Sequence, residues 1–225
     1  MSDKQLIPGL ADYIGHEIPT QANPVNPTPQ PVTVRNLTTN WVDPTSQQVQ
    51  KTCPIYVEAK ANGGYKFSAY ITGSISDVDD YLDLIDCLLT ATDKDEFYIY
   101  LDSPGGMISA GGAIASAIDI CQAEVYAVVR GLCASAAALI MSSVKKGNIQ
   151  VSPFAVVMFH MSAHSSAGFS TKIQEEAANQ VKYVNEVLLA KAVEEGLITQ
   201  EEFGKIQNAE EIFVTANEFR QKLGS

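Results

Sequence analysis

From residue 53 onward, apolar positions follow two rhythms that alternate along the chain. Short β-branched or aromatic runs at 54–59 and 65–71 flank Asn62-Gly63-Gly64, a turn signal, and predict two strands. Val78, Leu82, Ile85 and Leu89 then recur at three- and four-residue intervals behind Ser76 and Asp79, which predicts a capped amphipathic helix with that apolar stripe. Residues 97–101 form the next strand and end in Asp102-Ser103-Pro104-Gly105-Gly106. A second helix carries Ile114, Ile118 and Cys121 on one face, with glycines and alanines elsewhere that permit close packing against a sheet. Strand 124–129 opens into Gly131-Leu132-Cys133-Ala134-Ser135 and a helix of small and apolar residues to about 144. Short strands follow at 148–151 and 155–159, and another at 212–215.

Strands alternating with helices at this spacing imply crossover connections and a mainly parallel sheet, so the fold class is α/β. One long helix at 171–195 carries Ile173, Ala177, Val181, Val184 and Leu188 on a stripe. It is longer than a crossover needs and is expected to project and pack on another surface.

Residues 1–50 obey neither rhythm. Most of the ten prolines lie there among Asn, Thr and Gln, and the segment reads as a proline-rich leader or extended arm before a domain at 51–225. The length of 225 residues suffices for a core that folds unaided, and 46% hydrophobic with 18% charged residues excludes wholesale disorder. Fifteen basic against twenty-six acidic residues leave a net charge of −11, which repels a phosphate backbone, so neither nucleic acid nor an anionic membrane is an expected partner. The four cysteines show no metal spacing, and no signal-peptide core or membrane-spanning run is evident. A reduced, cytoplasmic protein is expected.

Three places could carry chemistry. Ser103-Pro104-Gly105-Gly106, between a strand and a helix, can turn backbone amides outward as an oxyanion site, although an ordinary connecting turn has the same form. Ser135 stands at the next strand-to-helix corner, where a hydroxyl can act as nucleophile or simply cap the helix. The Gly-x-Ser-x-Gly elbow is absent. His160, at a strand end, is the best placed of the three histidines to serve as a base. Glu210 and Glu211, before the strand at 212–215, could supply an orienting carboxylate. Cys133 is a rival nucleophile if it is not simply a small buried hydrophobe.

Taken together, LDSPGG, GLCASAAALIMSS and VVMFH, in that order and spacing, resemble the Clp protease proteolytic subunit family over about residues 65–216. The resemblance implies a ClpP/crotonase-like repeated ββα superhelix with the long helix as its projecting handle. It implies a serine endopeptidase with Ser135 as nucleophile, His160 as general base, and the amides of Gly106 and Ala136 as oxyanion hole. It further implies stacked, usually heptameric rings, a possible AAA+ unfoldase partner, peptide or unfolded-protein substrates, and no metal or organic cofactor.

Glu211 falls where the family has an aspartate, and the interval from His160 is slightly long, with the extra residues assigned to the turn at 162–170. The proline-rich leader and the shortened end after Lys222 also depart from the family pattern. These departures keep a catalytically dormant barrel subunit open, beside a crotonase-like acyl-CoA enzyme and a serine-lysine dyad using Lys145 or Lys146.

Overall fold

A computed structural model describes residues 35–36, 53–61, 63–161 and 171–224. Its frame is one eight-stranded sheet. A two-residue strand β1 (Arg35–Asn36) pairs antiparallel with β2 (Ile55–Ala59), so part of the segment expected to be a leader lies along the edge of the domain. The rest of 1–50 falls outside the described residues. β2 turns back through Gly63 into β3 (Tyr65–Thr72), the turn closed by the Lys60 amide on the Gly64 carbonyl at 2.7 Å. From there β3, β4 (Glu96–Ser103) and β5 (Glu124–Ala134) run parallel, as crossover helices require.

Alternation along these strands divides the sheet into two faces. Phe97, Ile99 and Leu101 of β4 point into the core, where Phe67 stacks on Phe97 with ring centroids 4.3 Å apart. The opposite face carries Tyr70 stacked on Tyr100 and Tyr98 stacked on Tyr126. Each such pair contributes about 0.5–1.5 kcal/mol beyond the area it buries.

The first helix differs from its sequence reading. Residues Val78–Tyr81 form a 3-10 turn, and α1 (Leu82–Thr90) begins after it. The tighter turn rotates the apolar phase, so Tyr81, Leu84 and Leu88 are buried while Leu82 and Leu89 are about half exposed. Ser76 caps neither element; its hydroxyl donates to the Asp80 carboxylate.

α2 (Ile108–Ile120) buries Ile114 and Ile118 as expected, and Gly111 sits against Ala136, where a Cβ would come within 3.0 Å of the alanine methyl. Every residue of α3 (Ala136–Ser142) is buried, the condition for a helix apolar all round. β6 (Ile149–Val151) and β7 (Val156–Phe159) then pair with successive halves of β5 along the same edge.

The long helix, α4 (Thr171–Glu194), exists as expected. Among its described side chains, the buried ones, Leu188, Leu189 and Ala192, lie toward the C-terminal end, and Lys191 is ion-paired with Asp119 of α2. Tyr183 and Val187 are exposed. Of the expected stripe, the side chains of Ile173, Ala177, Val181 and Val184 lie outside the described residues.

Two helices were not anticipated, α5 (Gln200–Gln207) and α6 (Ala216–Leu223). Each opens with a reciprocal capping box, Thr199 with Glu202 and Thr215 with Glu218, so a start signal stood in the sequence. β8 (Ile212–Thr215) joins them and pairs antiparallel with β7. Arg220 of α6 ties its helix to β6 by donating twice to the Val151 carbonyl, at 3.1 and 2.7 Å.

Candidate active site

Strand β5 runs to Ala134, five residues past its expected end, and α3 begins at Ala136, so Ser135 alone makes the corner. Its backbone has φ 56 and ψ −124, a conformation an L-residue holds only when its surroundings enforce it. Two hydrogen bonds do so. The Ser135 amide donates to the Met158 carbonyl of β7 at 3.0 Å, and its carbonyl accepts from Leu139 at 3.1 Å, opening α3. Ser135 occupies the N-cap position without a side-chain cap bond, so its hydroxyl is left for another partner.

That partner is His160. It follows the last residue of β7, and its Nε2 lies 2.7 Å from Ser135 Oγ. Both residues are half-buried. The same strand thus holds the Ser135 amide and delivers the imidazole, which makes the pair a product of β5–β7 pairing.

The Ser103–Gly106 turn lies directly against this corner. Ser103, fully buried, accepts the Gly105 amide on its hydroxyl at 3.0 Å. Gly105 has φ +90, and a Cβ there would stand 2.6 Å from Ser135 Cβ and 2.9 Å from the Ala136 nitrogen. The Ile75 amide donates to the Gly105 carbonyl at 2.8 Å, and the Ile75 carbonyl accepts from Met107 at 2.9 Å. Between these two bonds the Gly106 amide donates to no acceptor among the described residues. The Ala136 amide, first in its helix, has no intrahelical acceptor either. Two donors without an acceptor among the described residues therefore belong to the two corners that meet at Gly105 and Ser135.

Glu211 precedes β8. It is one residue before Ile212, whose pair with Phe159 is the last of the β7–β8 register, and His160 is one residue after Phe159. Glu211 is exposed, as is Glu210, and among the described residues no hydrogen bond joins either to the imidazole. Cys133 is fully buried, and burial pushes its thiol well above the ordinary range, so it is held neutral inside the core. The Lys146 backbone amide is bound to Glu195 at 2.9 Å, and neither Lys145 nor Lys146 has a hydrogen bond to Ser135. The turn at 162–170 lies outside the described residues.

Among the described residues, no three His, Cys, Asp or Glu side chains gather closely enough to hold a metal ion. No described helix is long and apolar enough to cross a membrane. Sequence reasoning named Gly105 only as part of the Ser103–Gly106 turn; its closeness to Ser135 comes from strand pairing across some thirty residues of chain.

The Clp protease family model matches residues 70–222. The chain belongs to the Clp protease family. This Clp protease family member is 34% identical over 104 residues to an ATP-dependent Clp protease proteolytic subunit from Ligilactobacillus salivarius (strain UCC118), covering 44% of this chain and 53% of that one. A subunit of the same description from Pleurastrum terricola is 31% identical over 119 residues, covering 52% and 61%. The matched regions thus span little more than half the length of these curated relatives. Among solved structures, a mutant ClpP1 from Listeria monocytogenes superposes with a TM-score of 0.57 at 23% identity, covering 69% of this chain and 86% of that one. That likeness establishes the ClpP/crotonase-like fold.

Proposed function

We propose that this Clp protease family member is a serine endopeptidase acting on peptides or unfolded proteins. The observation that carries the reading is the 2.7 Å contact between Ser135 Oγ and His160 Nε2, beside the unpaired amides of Gly106 and Ala136. Ser135 Oγ attacks the peptide carbonyl carbon while His160 Nε2 accepts the hydroxyl proton. The carbonyl oxygen becomes an oxyanion held by the two amides, each worth about 10²–10³ in rate. Collapse breaks the C–N bond, and the leaving amine takes the proton from His160. Water, deprotonated by His160, then cleaves the acyl ester and restores the Ser135 hydroxyl. Glu211 is the carboxylate proposed to orient the imidazole.

The exposed Tyr183 and Val187 on α4 favour a partner for that helix, consistent with assembly into stacked, heptameric rings. An AAA+ unfoldase would be a separate partner, since the chain has no phosphate-binding GxxxxGK[ST] loop. The exposure of Glu211, without a bond to His160, favours the second reading, a dormant barrel subunit. A fluorophosphonate probe read by intact mass separates the two. The peptidase reading expects one adduct on the assembled wild type and none on Ser135→Ala or His160→Ala. An unlabelled, correctly assembled wild type overturns it.

A further inference from the structure

We infer that Asp102 is a positioning residue for the Ser135 nucleophile, acting through the backbone of Leu132; the catalytic consequence rests on the peptidase reading above. The inference starts from a slip in the sheet. β4 and β5 pair in register up to Leu101 with Val129, and pairing resumes at Ser103 with Cys133. One residue of β4 therefore faces three of β5, and the ladder is interrupted where β5 leaves β6 and takes up β7.

Asp102 fills the interruption. Its Oδ1 accepts the Leu132 amide at 3.0 Å, standing in for a missing backbone acceptor. The carboxylate lies against Gly131, where a Cβ would fall 2.5 Å from Oδ1 and 3.0 Å from Cγ. Gly131 is thus a glycine for space, and any larger residue displaces the carboxylate. Beyond Leu132, three residues bring the chain to Ser135, and the first two of them pair with β7 at Val157 and Met158. The Asp102 tether fixes where β5 changes partner, and hence where the hydroxyl meets the imidazole. The same residue, still paired with Thr72 of β3, directly precedes the Ser103–Gly106 turn, so the strand position that anchors Leu132 also leads into the segment carrying Gly105 and Gly106. Misplacing a reacting atom by about 1 Å costs on the order of 10²-fold in rate.

The test uses the full-length assembled protein in five forms: wild type, Asp102→Ala, Asp102→Asn, Gly131→Ala, and the Asp102→Ala/Gly131→Ala double variant. Two readouts are taken: hydrogen exchange of the Leu132 amide, and kcat and KM for an unstructured peptide with fluorophosphonate labelling alongside. Asp102→Ala should speed Leu132 exchange at least tenfold and lower kcat about 10–100-fold, with KM within about twofold. Asp102→Asn, whose amide oxygen still accepts, should recover kcat to within about threefold of wild type. Gly131→Ala should match Asp102→Ala, and the double variant should lose no more than either.

Unchanged Leu132 exchange in Asp102→Ala overturns the tether whether or not the protein hydrolyses anything. Faster exchange with wild-type kcat, or an asparagine variant as slow as the alanine, overturns the positioning role. A wild type that takes no label while its Leu132 amide shows the Asp102 dependence sinks the peptidase reading and, with it, the catalytic consequence.

Discussion

Gly105 and Ser135 approach so closely that a Cβ on the glycine would lie 2.6 Å from the Cβ of the serine, although 29 residues lie between them along the chain. This contact joins the two strand-to-helix corners, and Gly106, the proposed oxyanion donor, is the next residue. Gly105→Ala should therefore be far more harmful than a methyl group suggests. The added Cβ meets the Ala134 carbonyl and Ser135 Cβ, and the φ of +90 adds backbone strain. We expect about 1–3 kcal/mol lower stability and labelling of Ser135 slowed about 10²-fold. Thermal melts and fluorophosphonate labelling rates check both.

Ser135 itself stores strain. At φ 56 and ψ −124, a Cβ is costly and glycine is not. Ser135→Ala and Ser135→Gly both remove the hydroxyl and its contact with His160, so the difference between them isolates the backbone. The glycine variant should be the more stable by about 1 kcal/mol, a melting point about 2–4 °C higher at this size. An alanine variant as stable as the glycine variant would show that the corner is unstrained.

Glu211 and Glu210 are distinguished by register. Glu211 directly precedes Ile212, the first residue of β8 and the partner of Phe159, whereas Glu210 is one residue further out. If Glu211 orients the imidazole, Glu211→Ala lowers kcat by about 10²–10⁴, Glu211→Asp retains most activity, and Glu210→Ala stays within about twofold. Steady-state kinetics on a peptide substrate decide it, and equal losses at both positions would remove Glu211 from the proposed triad.

Buried thiols make stability depend on pH in the alkaline range. Burial pushes Cys53 and Cys87 from the ordinary 9.0 to about 12, and raises Cys133 further. Between about pH 9 and 12 the unfolded chain releases thiol protons that the folded chain retains, so the unfolded state binds fewer protons and unfolding free energy falls as pH rises. The stabilising contribution is complete below pH 9 and lost as pH passes the folded values. Urea midpoints measured from pH 8 to 10.5 should decline, and the decline should be shallower in Cys87→Ala relative to that variant's own pH 8 value.

Parts of this architecture could be read directly from the chain. Alternation at 65–71 and 97–101 marked two parallel strands because one face of each is buried, and a side-chain period of two leaves its trace in any sequence. Ser135 and His160 were legible as polar residues at strand ends. The strand expected to end at 129 continues to Ala134, because Gly131 interrupts the apolar run while the backbone stays extended in strand β5. On α1 the stripe of Val78, Leu82, Ile85 and Leu89 assumed helical spacing from the first residue, and the 3-10 turn at Val78–Tyr81 rotated the buried face to Tyr81, Leu84 and Leu88.

The sequence by itself determined the α/β class, the alternation of strands and helices along the domain, and the residue types available at each strand end, because all three depend on local periodicity and turn chemistry. Tertiary structure alone decided which of those ends meet. The Ser135 hydroxyl faces His160 because β5 changes partner from β6 to β7. The Asp102 carboxylate replaces a lost ladder bond at Leu132, and Gly105 leaves room for Ser135. Each of these contacts spans two dozen residues or more, where no local period carries information and only packing and pairing of the whole sheet set the distance.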